Sequence, residues 1–190
     1  MKSKWIACGL VAGTLGLMPS APALGMEAPF RPGIGIGLLF SPGFNDYMED
    51  LASDGDAASA WMNLHLSAKI RVTDHWAVLP ILDACANGNG GGIENRMQAL
   101  SANARYTFKA GGAPYLQGGP SLILASGGGE DADFEGGNLG GAISAGFAFK
   151  FGLELDVGYS YCPVDATASF NRKKTTENFG GPHLRIGFRF

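Results

Sequence analysis

Past its first two dozen residues the chain has no apolar run long enough to cross a membrane as a helix, which takes about 20 residues. It has no tract of lysines or arginines, so nucleic acid is not an expected partner. It carries three cysteines, and one of them, Cys8, lies in the N-terminal apolar run. No zinc-type Cys/His spacing occurs, and no metal or cofactor is expected. The glycine runs Gly88–Gly92 and Gly127–Gly129 lack the Lys-Ser/Thr of a phosphate loop and read as flexible connections.

What is present starts with an export signal. Lys2 and Lys4 precede an apolar stretch from Trp5 to Met18, followed by Pro19 and the small residues Ala21 to Gly25. A positive head, a short apolar core and an A-x-A-like end make a cleavable secretory signal over residues 1–25, cut after Ala23 or Gly25. Residues 26–190 then form one domain, with Cys85 and Cys162 as its cysteines. In an exported protein those two can be bonded or free; strands on opposite sides of a ring would hold their Cα atoms farther apart than the roughly 7 Å a bridge tolerates.

The second feature is alternation. From Ala60 to Val72, the residues Met62, Leu64, Leu66, Ala68, Ile70 and Val72 oppose Asn63, His65, Ser67, Lys69 and Arg71. A helix would mix the two sets, whereas a strand separates them onto two faces. The same period of two marks Phe30–Ser41, Trp76–Cys85, Met97–Lys109, Tyr115–Ala125, Leu139–Phe151, Leu153–Tyr161 and Gly180–Phe190. Pro80 makes the third of these the weakest, because it removes a ladder donor. In the last, Leu184, Ile186, Phe188 and Phe190 oppose His183, Arg185, Gly187 and Arg189, and the segment finishes on an aromatic of the apolar parity.

Connections between the eight segments alternate long and short. The long ones are Pro42 to about Ala58, Asn87–Asn95, Ser126–Asn138 and Pro163 to about Glu177. Short turns on one side and long loops on the other, with an even strand number, predict an all-β, eight-stranded antiparallel up-and-down transmembrane β-barrel. The short turns and both termini are then periplasmic, the long loops extracellular, and the location is the cell outer membrane. Glycines 33, 35 and 37 on the inner parity of the first segment leave room for long side chains from other strands.

The signal, the eight alternating segments, the FKAGGAPYLQGG stretch (residues 108–119) and the terminal FRF resemble small outer-membrane β-barrel proteins of the OmpA-transmembrane-domain, OmpX and OmpW kind. The resemblance covers the whole exported chain and implies location and fold more than activity. It implies that Leu184, Ile186, Phe188 and Phe190 form a C-terminal insertion signal for the barrel-assembly machinery. It departs from full-length OmpA in ending at the barrel. The expected surroundings are outer-membrane lipid and lipopolysaccharide, and the expected state is a monomer.

The inner parity collects Lys69, Arg71, Arg105, Lys109, Lys150, Arg185 and Arg189 with Asp83, Glu154 and Asp156. Eight strands leave an interior that side chains can fill, so these charges either pair as a plug or line a narrow path. Arg71, Lys109, Lys150 and Arg189 lie near the periplasmic turns, where water can solvate them. If the Thr73–His75 turn pairs Val72 with Trp76, His65 faces Asp83 inside the barrel, half of a hydrolase triad without its nucleophile. Barrel enzymes that trim lipid A carry a His and a Ser close in sequence, and no such pattern surrounds His183. Asp131-x-Asp133-x-Glu135-Gly136 resembles the start of an EF-hand loop, but its twelfth position is Ala142, so the ligand set is incomplete. A non-enzymatic barrel, structural or interacting through its loops, is the favoured reading; a narrow channel or carrier comes second and a lipid-modifying enzyme third.

Overall fold

The alternating segments do become strands, and they close on themselves. The computed structural model describes residues 29–51, 60–88, 94–109, 113–128, 133–167 and 174–190; the export signal lies outside them. Strands β1 (Phe30–Phe40), β2 (Ala60–Arg71), β3 (Trp76–Gly88), β4 (Glu94–Thr107), β5 (Pro114–Gly128), β6 (Asp133–Ala148), β7 (Leu153–Tyr161) and β10 (Gly181–Arg189) form a closed antiparallel barrel in the order β1-β10-β7-β6-β5-β4-β3-β2. The last strand pairs with the first from Gly33↔Arg189 to Leu39↔His183. That pairing removes both sheet edges, as a lipid-embedded sheet requires.

Side-chain parity follows the alternation. Ile36, Leu139 and Ile143 are 60%, 69% and 66% exposed, while Leu79, Trp61 and Ile123 on the inner parity are fully buried. So many exposed large apolar side chains around a whole ring would be untenable in water and are the expected surface toward lipid. At the short-turn end the outer face carries ring clusters, among them Trp76–Tyr106, Phe147–Phe149 and Phe188–Phe190. These form the aromatic girdle of that side.

Prolines mark local interruptions. The β2–β3 ladder runs Met62↔Ala86 to Ser67↔Ile81 and resumes at Ile70↔Val78, skipping the positions around Pro80. The β4–β5 ladder stops at Ser101↔Ser121 and resumes at Ala104↔Gly118, around Pro120. Both prolines lack the donor a continuous ladder needs. The β6–β7 turn needs Gly152, whose φ of 101° places it where a side chain would be strained.

Two long loops contain structure that alternation does not announce. Helix α1 (Pro42–Leu51) fills the start of the first loop, which the sequence reading treats only as a loop. Ser41 caps it, its Oγ accepting the Phe44 backbone N–H at 3.3 Å, and Pro42 occupies the first helical position, where no donor is missed. The last loop holds a hairpin of β8 (Pro163–Thr167) and β9 (Lys174–Asn178) as a separate two-stranded sheet. Strands β3 to β6 also outrun their predicted limits at the loop end, while β4 stops at Thr107 and β6 at Ala148, short of the predicted Lys109 and Phe151; β5 and β6 reach 15 and 16 residues. Their outward positions turn polar at Gln98, Arg96 and Ser126, so this part of the sheet rises past the apolar belt.

The belt is directly testable. Val157, in the middle of β7 and 59% exposed, is expected to face acyl chains. Val157→Arg should lower folding stability in bilayers by about 2–4 kcal/mol, measured by urea-dependent refolding into vesicles. An unchanged midpoint would place that face outside lipid.

Candidate functional site

Among the described residues, chemistry-bearing side chains from distant strands meet in the lumen, because strand parity turns these polar partners inward. Its centre is Glu154 on β7. Arg105, on β4, reaches across the lumen to it with Nη1–Oε1 2.8 Å and Nη2–Oε2 3.0 Å. Arg189, on the neighbouring β10, makes a second fork, with Nε–Oε1 and Nη2–Oε2 both 2.9 Å. Arg105 also donates to Gln117 Oε1 and lies 3.9 Å over the Tyr115 ring. Gln117 in turn donates to Asp156 Oδ2 at 2.7 Å, and Ser144 donates to the same oxygen at 3.0 Å.

A second carboxylate anchors the other wall. Asp83 on β3 meets His65 Nδ1 at 2.9 Å and accepts from Asn63 at 3.0 Å, both through Oδ1. Arg185 of β10 reaches it across the lumen, with Nη2–Oδ2 3.2 Å. The His65↔Asp83 register is the one the short turn dictates. Three guanidiniums thus contact Glu154 and Asp83, while Asp156 takes Gln117 and Ser144 as donors, and the formal charges of these six half-buried or buried groups cancel. Burying these groups requires that balance, since an unpaired ion away from water costs several kcal/mol, on the order of the pair's own attraction.

The glycines of β1 are where these arginines fit. A Cβ on Gly37 would meet Arg185 Cγ at 2.9 Å, and one on Gly33 would meet Arg189 Nη1 at 3.3 Å. The cavity between Arg105, Glu154, Asp156, Arg185 and His65 has a volume of about 20 Å³, enough for one water.

Toward the loops the lumen turns apolar. Leu39, Phe44, Trp61, Cys85, Met97, Ile123, Cys162, Val164 and Phe179 form one buried cluster. Phe44 of α1 packs edge-on to Trp61 at 4.7 Å and to Phe179 at 5.2 Å. The first turn of α1 approaches β9 closely, since a Cβ on Gly43 would overlap the Asn178 carbonyl. Asn178 Oδ1 accepts from the backbones of Cys162 and Gly180, holding the hairpin onto the barrel mouth. Cys85 and Cys162 both lie in this cluster as free thiols. Burial pushes the Cys162 thiol, just beyond β7, up to about 12, so it stays protonated.

Sequence-predicted residues divide cleanly by position. Asp83, Arg105, Glu154, Asp156, Arg185 and Arg189 meet in the lumen; Arg189 is buried there rather than solvated at the rim. Lys69 sits half-buried on β2 opposite Arg31, and Arg71 pairs with Asp74 at the turn. Lys109 and Lys150 are exposed on short turns. Asp133 and Glu135 already belong to β6, which removes the EF-hand loop geometry, and Asp131 lies outside the described residues.

One juxtaposition escapes a reading by sequence proximity. Ser160 Oγ lies 2.9 Å from His183 Nδ1, and His183 Nε2 lies 3.6 Å from Asp156 Oδ1. The β7–β10 register, Gly181↔Ser160 and His183↔Gly158, makes the two residues diagonal neighbours. The order is that of a nucleophile, base and carboxylate, but the second link is longer than the 2.6–3.2 Å a working relay uses. All three residues are buried, and neither Ser160 nor His183 lines the cavity.

Comparison with known proteins agrees with this architecture. The family model described as outer membrane protein beta-barrel domain matches residues 10–190. The chain belongs to that family. No curated protein matches it in sequence. Among solved structures this outer-membrane barrel is similar to neisserial surface protein A, at 21% identity, TM-score 0.57, covering 85% of this chain and 96% of that one. It is also similar to the N-terminal β-barrel domain of Pseudomonas aeruginosa OprF (15% identity, TM-score 0.50, 85% and 98%). A third is Ail, the attachment invasion locus protein of Yersinia pestis, solved with the heparin analogue sucrose octasulfate (14% identity, TM-score 0.50, 86% and 100%). At these identities the likeness is one of fold.

Because Glu154 holds two guanidiniums, Glu154→Gln should cost this barrel about 3–5 kcal/mol. The readout is the urea midpoint for refolding into detergent micelles. A loss below about 1 kcal/mol, the size of an exposed pair, would mean the lumen is solvated at that level.

Proposed function

We propose that this chain is a non-enzymatic outer-membrane barrel with a closed lumen, acting through its extracellular loops or as a structural element of the membrane. The observation that carries the reading is the cross-lumen pairing of Arg105 with Glu154 and Arg185 with Asp83 beneath an apolar lid. A conducting path would need these struts to open and the Phe44–Trp61–Phe179 cluster to part, and the cavity among the struts measures about 20 Å³, room on the scale of a water.

Charge sets the kind of surface contact. The four long loops and strand ends on their side carry twelve carboxylates and four basic residues, among them Asp46, Asp54, Asp133, Asp165 and Glu177. Ail was solved with a sulfated polyanion. Loops of the present composition would repel such a ligand and favour a cationic partner, or divalent cations bridging to lipopolysaccharide phosphates. Assembly through the C-terminal strand fits its lipid-facing Leu184, Ile186, Phe188 and Phe190, exposed from 40% to 64%.

Planar-bilayer recording decides between plug and path: the closed barrel gives no unitary current, and a steady ohmic current would establish the channel reading in its place. The enzymatic reading is tested by Ser160→Ala and by His65→Ala with Asp83→Asn. The lipid A mass spectrum of cells producing each variant should match that of cells producing the unaltered protein; a change specific to either variant would overturn the non-enzymatic assignment.

A further inference from the structure

The two ends of the barrel differ in charge sign, and the short-turn end has its own chemistry. There the described residues include Arg31, Lys69, Arg71, Lys109 and Lys150 against the single carboxylate side chain of Asp74. Arg71 is already paired with Asp74, and Arg31 donates to the backbone oxygens of Arg189 and Phe190. Lys109 and Lys150 are different. Both are exposed, and among the described residues neither has a carboxylate partner.

The fold brings these two lysines to one sector of the rim. Lys109 follows Phe108, whose N–H donates to Pro114 O at 3.1 Å; Ala148, two residues before Lys150, donates to Ala113 O at 3.2 Å. The β4 end and the β6 end therefore flank the same two residues at the start of β5. Beside them in the chain, Phe108 contacts Tyr106 at 5.3 Å, and Phe149, which precedes Lys150, meets Phe147 at 4.9 Å and Phe151 at 5.5 Å. Phe108 and Phe151 are 53% and 66% exposed. Aromatic rings mark the depth where acyl chains give way to headgroups, and a lysine stem beside them places its charge at the phosphate level.

We propose that the Lys109–Lys150 sector of the periplasmic rim binds the headgroup of an anionic phospholipid. Its phosphodiester sits between the two ammoniums and its acyl chains lie along Phe149 and Phe151. A zwitterionic headgroup brings its own cation to the same place and gains little there. The basic rim and the acidic loop side together give the barrel a preference between leaflets that the uniform apolar belt cannot supply. The inference does not depend on whether the lumen conducts.

The test uses the whole exported protein in mixed micelles of phosphatidylglycerol and phosphatidylcholine, with retained lipid counted by native mass spectrometry. The unaltered protein should retain phosphatidylglycerol in preference, and Lys109→Gln with Lys150→Gln should cut that preference by at least about tenfold. Arg96→Gln, on the opposite end, should leave it unchanged. Folding of each variant is checked by its unheated gel mobility, and because both lysines are solvent-exposed, Lys109→Arg with Lys150→Arg should restore retention. No lipid preference in the unaltered protein, or a preference that survives the double glutamine substitution, would overturn the proposal. Loss of retained lipid on adding millimolar inorganic phosphate would also overturn it, since the site would then recognise free phosphate rather than a lipid.

Discussion

Closure of the ring between β1 and β10 is the constraint on which the rest depends. In a bilayer each strand must find a partner for every backbone donor and acceptor, and a sheet with an edge cannot do so. The seven-residue register from Gly33↔Arg189 to Leu39↔His183 supplies the missing edge. Once the ring is closed, parity has only two destinations, lipid and lumen, so the identity of each alternate residue becomes a statement about solvent. Within the belt the outward residues are mostly isoleucine, leucine and phenylalanine, while the inward set holds arginine, carboxylate, serine and asparagine together with the buried Leu39, Leu79, Ile81 and Ile123.

The lumen then poses the opposite problem, because a narrow ring cannot hydrate what it encloses. The solution here is a charge-neutral set with long reach. Arginines on β4 and β10 extend over three strands to carboxylates on β7 and β3, while glycines on β1 vacate the space their stems cross. Above this polar layer, α1 and the β8–β9 hairpin bring Phe44 against Trp61 and Phe179, replacing charge with packed rings. The barrel is thus layered along its axis, with a basic rim, a neutral polar middle, an apolar lid and an acidic mouth.

How much of this was legible depends on the distance over which each feature is encoded. The parity of Ala60–Val72 and the shortness of the Thr73–His75 turn suffice for the strand and for the His65–Asp83 register, since both are local. The vacated inner positions of β1 are legible for the same reason. The strand ends of β3 to β6 were not, because outward residues become polar past the belt and alternation fades although pairing continues. Helix α1 carried a signal that periodicity of two overlooks: Ser41-Pro42 is a capping residue followed by a first-turn proline. The β8 and β9 strands are five residues each, too short for alternation to stand out. Ser160 beside His183 depends on the offset between β7 and β10, set across a long loop, and no local rule supplies it. Arg189 reads as a rim residue by position alone, and Glu154 on β7, with Ser67 and the Arg31 carbonyl, draws it inward.

A closed lumen depends on direct contact across it, and a double-mutant cycle on Asp83 and Arg185 measures that contact itself. Folding free energies in lipid vesicles would be determined for the unaltered barrel, Asp83→Asn, Arg185→Gln and the double variant. A part-buried 3.2 Å pair spanning from β3 to β10 predicts a coupling energy of about 1–3 kcal/mol. Additive effects, with coupling near zero, would describe two charges facing water and would contradict a filled, closed lumen.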